Sequence, residues 1–403
     1  MKIFIQSHSV NKICLDASPW ISAALLVALF FSAPAVNILE SILIITVIIS
    51  KDLRARFVQN LKSPLIVAAL TFYGIIIIGA TYSIGPINEA WGMVFGWRKI
   101  IILPFVFCAI STAKDKSFLL KTFLATSTLC LIWSYFSYFI PELFYHKDVP
   151  GIIIKNHATQ GMFFGIAIFV ALIFQDGNTT SRQNKVLLYI FTGLTLFNIM
   201  TITFGRSGYL VVATLIVIYT LQRVREFSFY KQSIIITLVL AMLLGMFMSS
   251  KTSRERIQLG VNEFTQLKTE GDAGSMGVRH YWWQHSLNMI KKNPIFGIGT
   301  GSFEKGLENE IKNLTGPAAT KTNDPHNQYL KITVEQGILG LVIFLSIIFS
   351  AFIAKNVSKP FGLIGLGVLT SWCATSLANS HFSTFHEGHF IWFWLGAMLS
   401  PEK

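Results

Sequence analysis

Apolar stretches long enough to cross a bilayer recur along most of this chain, separated by short polar breaks. A transmembrane helix needs about 20 predominantly apolar residues. We read twelve such spans, at 19–34, 36–50, 64–84, 100–113, 122–140, 157–175, 186–204, 208–221, 233–249, 334–354, 361–378 and 387–400. With Pro34 in its middle, 19–50 also reads as a re-entrant pair. No single soluble core could bury so many apolar segments. Only 13% of the 403 residues are charged, against about 25% in soluble domains. The fold class expected is therefore all-α, a polytopic membrane protein of about twelve transmembrane helices with one long, partly helical loop at 250–328. The expected divisions are 1–249 with nine helices, the loop 250–328, and 329–403 with three.

Charge sets the expected orientation. Alternate breaks carry Lys2 and Lys12; Lys51, Arg54, Arg56 and Lys62; Lys114, Lys116 and Lys121; Arg182 and Lys185; Arg223, Arg225 and Lys231; Lys355 and Lys359; and Lys403, seventeen in all. The opposite short breaks hold five, Arg98, Lys99, Lys147, Lys155 and Arg206. Short cytoplasmic loops are enriched in lysine and arginine, whereas long loops translocate regardless of charge. Both termini are thus expected in the cytoplasm and the long loop outside. The apolar stretch near Trp20 begins too late for a cleavable signal, and the first span reads as an uncleaved anchor. The net charge of +13 lies between apolar spans, which favours lipid headgroups and anionic substrates over nucleic acid. The four cysteines, Cys14, Cys108, Cys130 and Cys373, lie outside the long loop and show no metal spacing. Neither metal nor another cofactor is expected. Eight of the nine histidines (His146, His157, His280, His285, His326, His381, His386 and His389) fall on the outer side in this map.

Within the loop, 253–267 reads as a helix, 270–275 as a flexible break and 278–292 as a second helix. On the second, Arg279, Trp283, Leu287 and Ile290 share one stripe, and Asn293-Pro294 stops it. An arginine on an apolar stripe calls for an anion or for a cation–π partner in Trp282 or Trp283. Thr203-Phe-Gly-Arg-Ser-Gly208 places Arg206 at a membrane interface between two spans. Phosphate suits such a guanidinium, and snorkelling to lipid is the plainer alternative. Asn323-Asp-Pro-His-Asn-Gln-Tyr-Leu330 reads as a helix start. Asn323 or Asp324 would cap, Pro325 would take the first position, and His326 and Asn327 the first turn. The positive end of a helix disfavours imidazolium and attracts anions, giving a neutral histidine suited to general-base work; a structural hydrogen-bonding histidine at the membrane interface is the plainer alternative. Arg98 and Lys99 beside Trp91 and Trp97 suit a headgroup or substrate contact, or an aromatic belt. Asn293-Pro-Ile-Phe-Gly-Ile-Gly-Thr-Gly-Ser-Phe303 lacks the spacing of a P-loop or a dinucleotide fingerprint. It reads as a tight turn that packs the loop onto the spans.

In order and spacing these segments resemble the O-antigen ligase family. The match comprises Arg206, Arg279 to Trp283, Asn293-Pro-Ile-Phe-Gly-Ile-Gly-Thr-Gly-Ser-Phe303, His326-Asn-Gln-Tyr-Leu330 and Glu335-Gln-Gly-Ile-Leu-Gly340, covering about 200–345. The resemblance implies a GT-C-like glycosyltransferase of the bacterial inner membrane, working on the periplasmic face. The implied donor is a glycan on undecaprenyl pyrophosphate, the acceptor a sugar hydroxyl of lipid A-core, and the transfer inverting and metal-independent. It assigns His326 to acceptor activation and Arg206 and Arg279 to the pyrophosphate. Asn327, Tyr329, Arg98 and Lys99 are further expected substrate contacts. Partners would be donor, acceptor and membrane lipids, without nucleotide or nucleic acid.

Within the superfamily the ligase is favoured over an O-antigen polymerase or an O-linked protein oligosaccharyltransferase. The last span is followed almost at once by Lys403, and the long loop lacks Arg-x10-Gly: Thr265, Leu267 and Ile290 stand at the glycine positions. A non-catalytic lipid-linked glycan transporter is the alternative of a different class. It would place charged residues at mid-membrane, whereas the spans are nearly free of acidic groups, Glu40 near a break being an exception.

Overall fold

The structure, a computed structural model, describes residues 2–143, 149–176, 181–249, 254, 275–354 and 357–402. The readings of 253–267 and 270–274, and His146, fall outside this set. The described residues are helical, with no strand among them. In chain order the helices are α1 (Lys2–Phe31), α2 (Ala33–Ile49), α3 (Lys51–Asn60), α4 (Pro64–Thr81), α5 (Ile87–Trp97), α6 (Ile102–Ala109), α7 (Ala113–Phe139), α8 (His157–Gln175), α9 (Arg182–Asn198), α10 (Arg206–Val224), α11 (Phe229–Ser249), α12 (Ser275–Lys292), α13 (Phe303–Ile311), α14 (Gln328–Phe352), α15 (Phe361–Thr375) and α16 (Phe385–Met398).

Among the described residues eight helical segments are long and apolar enough to cross a membrane. The pair α2 and α3 makes a ninth if read as one span, but it bends by 99°. The expected segments at 233–249 and 361–378 fall on shorter apolar stretches, Phe229–Gly245 and Phe361–Thr375. The one at 387–400 falls on the 14-residue α16. One boundary moves substantially. The span expected at 100–113 is the second half of a run from Ile87 to Ala109, whose two helices are joined by a 3₁₀ turn at Arg98–Ile101. Arg98 and Lys99 therefore sit within a crossing segment and not at its edge.

Lipid tails are as apolar as leucine, so helices in a membrane associate through close packing and polar contacts. The centre of the bundle shows the first in an aromatic cluster: Phe163 packs edge-on to Phe30 at 4.9 Å, and Phe123 to Trp394 at 5.2 Å. Nearly every residue of α16 is buried. Helices α8 and α10 meet at Gly161 and Gly208, where a Cβ on either residue would strike the other's backbone. The polar contribution is plain at Lys116, which is fully buried. Its Nζ donates to Ser400 O at 2.6 Å and Met398 O at 3.2 Å, placing a cation at the negative end of α16.

The glycine-rich turn explains how the loop is joined to the bundle. Helix α14 breaks at Gly337, with φ +67° and ψ −170°. A break frees backbone groups that lipid cannot satisfy. Residues 294–299 supply the partners: Ile338 N donates to Pro294 O at 2.8 Å, Ile298 N to Val334 O at 2.9 Å and Gly299 N to Glu335 O at 2.9 Å. Only glycine fits at 337, because a Cβ there would strike the Ile295 carbonyl, and positive φ is costly for other residues. Thr300 then fastens the turn to the end of α4, its N donating to Gly79 O at 3.0 Å and its Oγ1 to Ile76 O at 2.7 Å.

Candidate functional site

Three chain segments far apart in sequence supply the expected residues, and a fourth holds them together. The first is the turn before α10. Helix α9 ends in a π-helical turn, Ile199–Thr203, a feature frequent at functional sites. Phe204 follows at φ +20°. The turn is held from α8: Gln160 Nε2 donates to Thr203 Oγ1 at 3.1 Å, and His157 stacks on Phe204 at 5.2 Å. The exposed Arg206 is the first residue of α10. A cation at the positive end of a helix is opposed by the helix dipole, so an anion bound there would meet both the guanidinium and the unsatisfied amides. Ser207 beside it is buried.

The second segment is α12, which runs from Ser275 to Lys292 and stops at Asn293-Pro294. Its buried face differs from the expected stripe. Leu287 is half exposed, while His285, Ser286 and Met289 are buried. Thus α12 is rotated relative to that reading, because it packs on α13 and the 3₁₀ turn Gly316–Ala319 through polar as well as apolar contacts. His285 Nε2 lies 3.1 Å from Ala318 O. Trp282 and Trp283 donate their indole N–H groups to Thr320 O at 2.8 Å and Pro325 O at 2.9 Å. Arg279 is half-buried and donates from Nη1 to Ala378 O at 3.3 Å.

The third segment is Asn323–Leu330, where the expected cap moves. The N-cap of α14 is Asn327, whose Oδ1 accepts from Tyr329 N and Leu330 N, both at 3.1 Å. His326 therefore precedes the helix and does not occupy its first turn. Its φ is +54°, a region non-glycine residues enter only when their surroundings enforce it. Asp324 enforces it here: its Oδ1 accepts the His326 amide at 2.7 Å. The His326 imidazole is tilted over Trp282, ring centroids 5.6 Å apart. Burial first, and the Arg279 guanidinium second, hold its pKa below the usual 6.5, against the opposing pull of Asp324 and a hydrogen bond with Asn379. The neutral imidazole expected from a helix dipole is thus favoured for a different physical reason.

The fourth segment, 376–384 between α15 and α16, was missed as a site element. Asn379, which hydrogen-bonds His326, donates from Nδ2 to Ser207 Oγ at 3.1 Å. The buried His381 lies 3.2 Å from the same hydroxyl through Nε2. Burial lowers the His381 pKa despite the nearby Glu387 and Asp324. Ser380 braces Asp324, Asn327 Nδ2 donates to Leu377 O at 3.0 Å, and Ala378 accepts from Arg279. One loop therefore touches the turn of Arg206, the helix of Arg279 and the segment of His326. The sequence signal is the polar run Asn379-Ser-His-Phe-Ser-Thr384 between two apolar helices.

The remaining expected contacts take structural positions. Lys99 is buried and donates from Nζ to Ser383 O and Thr384 O, each at 2.6 Å, anchoring this loop from below. Arg98 donates to Asn37 Oδ1 at 2.7 Å. The Tyr329 hydroxyl donates to Cys373 O at 2.9 Å, joining α14 to α15. Glu40 Oε1 lies 3.4 Å from His389 Nε2.

Fold and site together define a multi-pass helical membrane protein with a basic, histidine-bearing site where a loop meets the bundle. Over residues 191–345 the chain is similar to the O-antigen ligase family. The matched segment contains Arg206, Arg279 and His326. A relative from Haemophilus influenzae, described as an uncharacterized protein, is 25% identical over 173 residues. The match covers 41% of this chain and 43% of the relative, less than half of either.

Proposed function

We propose that the protein is an O-antigen ligase. It transfers a glycan from undecaprenyl pyrophosphate to a sugar hydroxyl of lipid A-core, on the periplasmic face of the inner membrane. The observation that supports this reading is His326, a half-buried imidazole whose pKa burial and the Arg279 charge hold below the usual 6.5, which favours its neutral form. A general base must be unprotonated at working pH and within reach of the proton it removes. His326 takes the proton of the acceptor hydroxyl as its oxygen attacks the anomeric carbon from the side opposite the pyrophosphate. The carbon–oxygen bond to the phosphate breaks with inversion. Pyrophosphate leaves as an anion, so no proton need be delivered to it. Arg206 and Arg279 match its charge by charge-assisted hydrogen bonds as it departs.

The test is transfer from a synthetic polyprenyl-pyrophosphate glycan to lipid A-core by the purified protein. His326→Ala should still bind donor but transfer none; undiminished transfer by that variant sinks the base assignment. Deleting the gene separates ligase from polymerase. A ligase deletion loses the whole lipopolysaccharide ladder while polymer accumulates on undecaprenyl pyrophosphate, and a polymerase deletion leaves core plus one repeat.

A further inference from the structure

A cavity of about 450 Å³ is lined by Asn323, three residues before His326, and has neither Arg206 nor Arg279 in its lining. This is within the usual range of small-molecule sites, about 300–1,000 Å³. Its polar lining is Glu89 from α5, Glu304 from α13, Glu335 from α14 and Asn323. Helix α5 turns Gly92 and Gly96 to it, four residues apart on one face. Phe303, also in the lining, belongs to the buried cluster against which Trp282 packs, and Trp282 in turn lies over His326. The cavity thus adjoins the base without containing it.

Glu335 identifies the kind of ligand. It is 2% exposed, and its Oε1 is buried with no hydrogen-bond partner, while the carboxyl otherwise takes a backbone hydrogen bond from Gly301 and a 3.4 Å contact from Gln336 at Oε2. A buried carboxylate oxygen left without a donor is costly, so a ligand hydroxyl donating to it would be stabilised there. Three carboxylates repel a pyrophosphate. Among the described residues no three acidic, histidine or cysteine side chains converge closely enough to hold a metal ion. Spaced carboxylates and an amide, beside apolar surface and bare glycine backbone, match a molecule with several hydroxyl donors and C–H faces.

We propose that this cavity binds the saccharide of the acceptor, with Glu335 accepting from a sugar hydroxyl. The inference rests on the ligase reading for the word acceptor, but the binding site itself does not. Charge then sorts the two substrates around His326, anionic donor to the arginines and hydroxyl-rich acceptor to the carboxylates.

The glycines provide a clean test. A Cβ at Gly92 or Gly96 meets nothing within 4 Å, so a side chain can be started at either lining position, and leucine there should occupy cavity space. The probe is a delipidated, dephosphorylated lipopolysaccharide-core oligosaccharide, titrated against the full chain in lipid nanodiscs. Wild type should bind it. Gly92→Leu and Gly96→Leu should each weaken binding at least tenfold, Glu335→Gln should weaken it too, and binding of inorganic pyrophosphate should be unchanged. In the transfer assay the glycine variants should raise the acceptor KM and leave the donor KM alone. No oligosaccharide binding by wild type, or equal binding by both glycine variants, overturns the proposal. Oligosaccharide binding that these variants abolish, in a wild type that transfers nothing, supports the cavity and overturns the ligase reading instead.

Discussion

Ser380 Oγ donates to Asp324 Oδ1 at 2.8 Å, and that carboxylate oxygen also accepts the His326 amide. A residue from the α15–α16 loop thereby holds the group that fixes the backbone of the proposed base. The pH dependence of transfer should report this arrangement. In the proposed mechanism neutral His326 is the active form, so activity should be lost as pH falls through its pKa, which burial and Arg279 hold below 6.5. The acid limb of kcat/KM should lie below that value. Arg279→Gln removes a cation that disfavours imidazolium, so the limb should move to higher pH. Asp324→Asn removes an anion that favours imidazolium, so it should move to lower pH. Identical limbs in all three proteins would exclude His326 as the titrating group.

Asn379 links Ser207 to His326, and its loss should be felt in catalysis more than in folding. Asn379→Ala should lower kcat by about 10- to 100-fold, the equivalent of about 1–3 kcal/mol for a lost, partly buried hydrogen bond. Donor affinity should hold. Measured kcat, donor Kd and Tm in detergent separate these effects; a fall in Tm with kcat preserved would make Asn379 purely structural.

Lys99 carries the loop from beneath. Lys99→Met keeps the buried stem and removes the donors to Ser383 and Thr384. The expected result is a fall in kcat of about tenfold or more, since one lost charge-assisted bond is worth about 1.5–3 kcal/mol. Because Lys99 touches no substrate in this reading, the donor KM should be unchanged. A rise in donor KM alone would return Lys99 to the role of substrate contact.

The joint at α14 should be intolerant of any side chain. Gly337→Ala and Gly297→Ala each place a Cβ against backbone at positive φ. Each should destabilise by about 1–3 kcal/mol from conformation alone, more with the clash. The double variant should lose less than the sum, because both act on one joint. Thermal unfolding of the purified protein checks this.

The residues that repeat or stand out by type were legible in the sequence. Eight of the spans follow from apolar length; Arg206 and Arg279 stood out as charges in or beside apolar segments and His326 by a helix-start motif, and they remain candidates. Asn293-Pro294 correctly marks the end of α12. The turn of α12 about its axis was not legible, because its buried face includes His285 and Ser286, which a stripe of apolar residues omits. The cap at Asn327 was hidden by an equally good sequence, Asn323-Asp-Pro. Only the contact of Asp324 with the His326 amide, made at positive φ, decides between them. Lys99 read as an edge residue because Arg98–Ile101 interrupts the hydropathy of a helix that continues through it. The 376–384 loop was overlooked because it acts on residues up to 285 positions away.

The pairing of 294–299 with the broken middle of α14 bears on how such a protein can be recombined. The extramembrane segment and the first turns of α14 form one cassette, closed by backbone bonds that neither half can make alone. A boundary at 328, where the chain re-enters the bundle, would cut through it. Chimeras that exchange specificity between relatives should therefore take 275–345 as a unit, and the family match, running to 345, includes the whole of that joint.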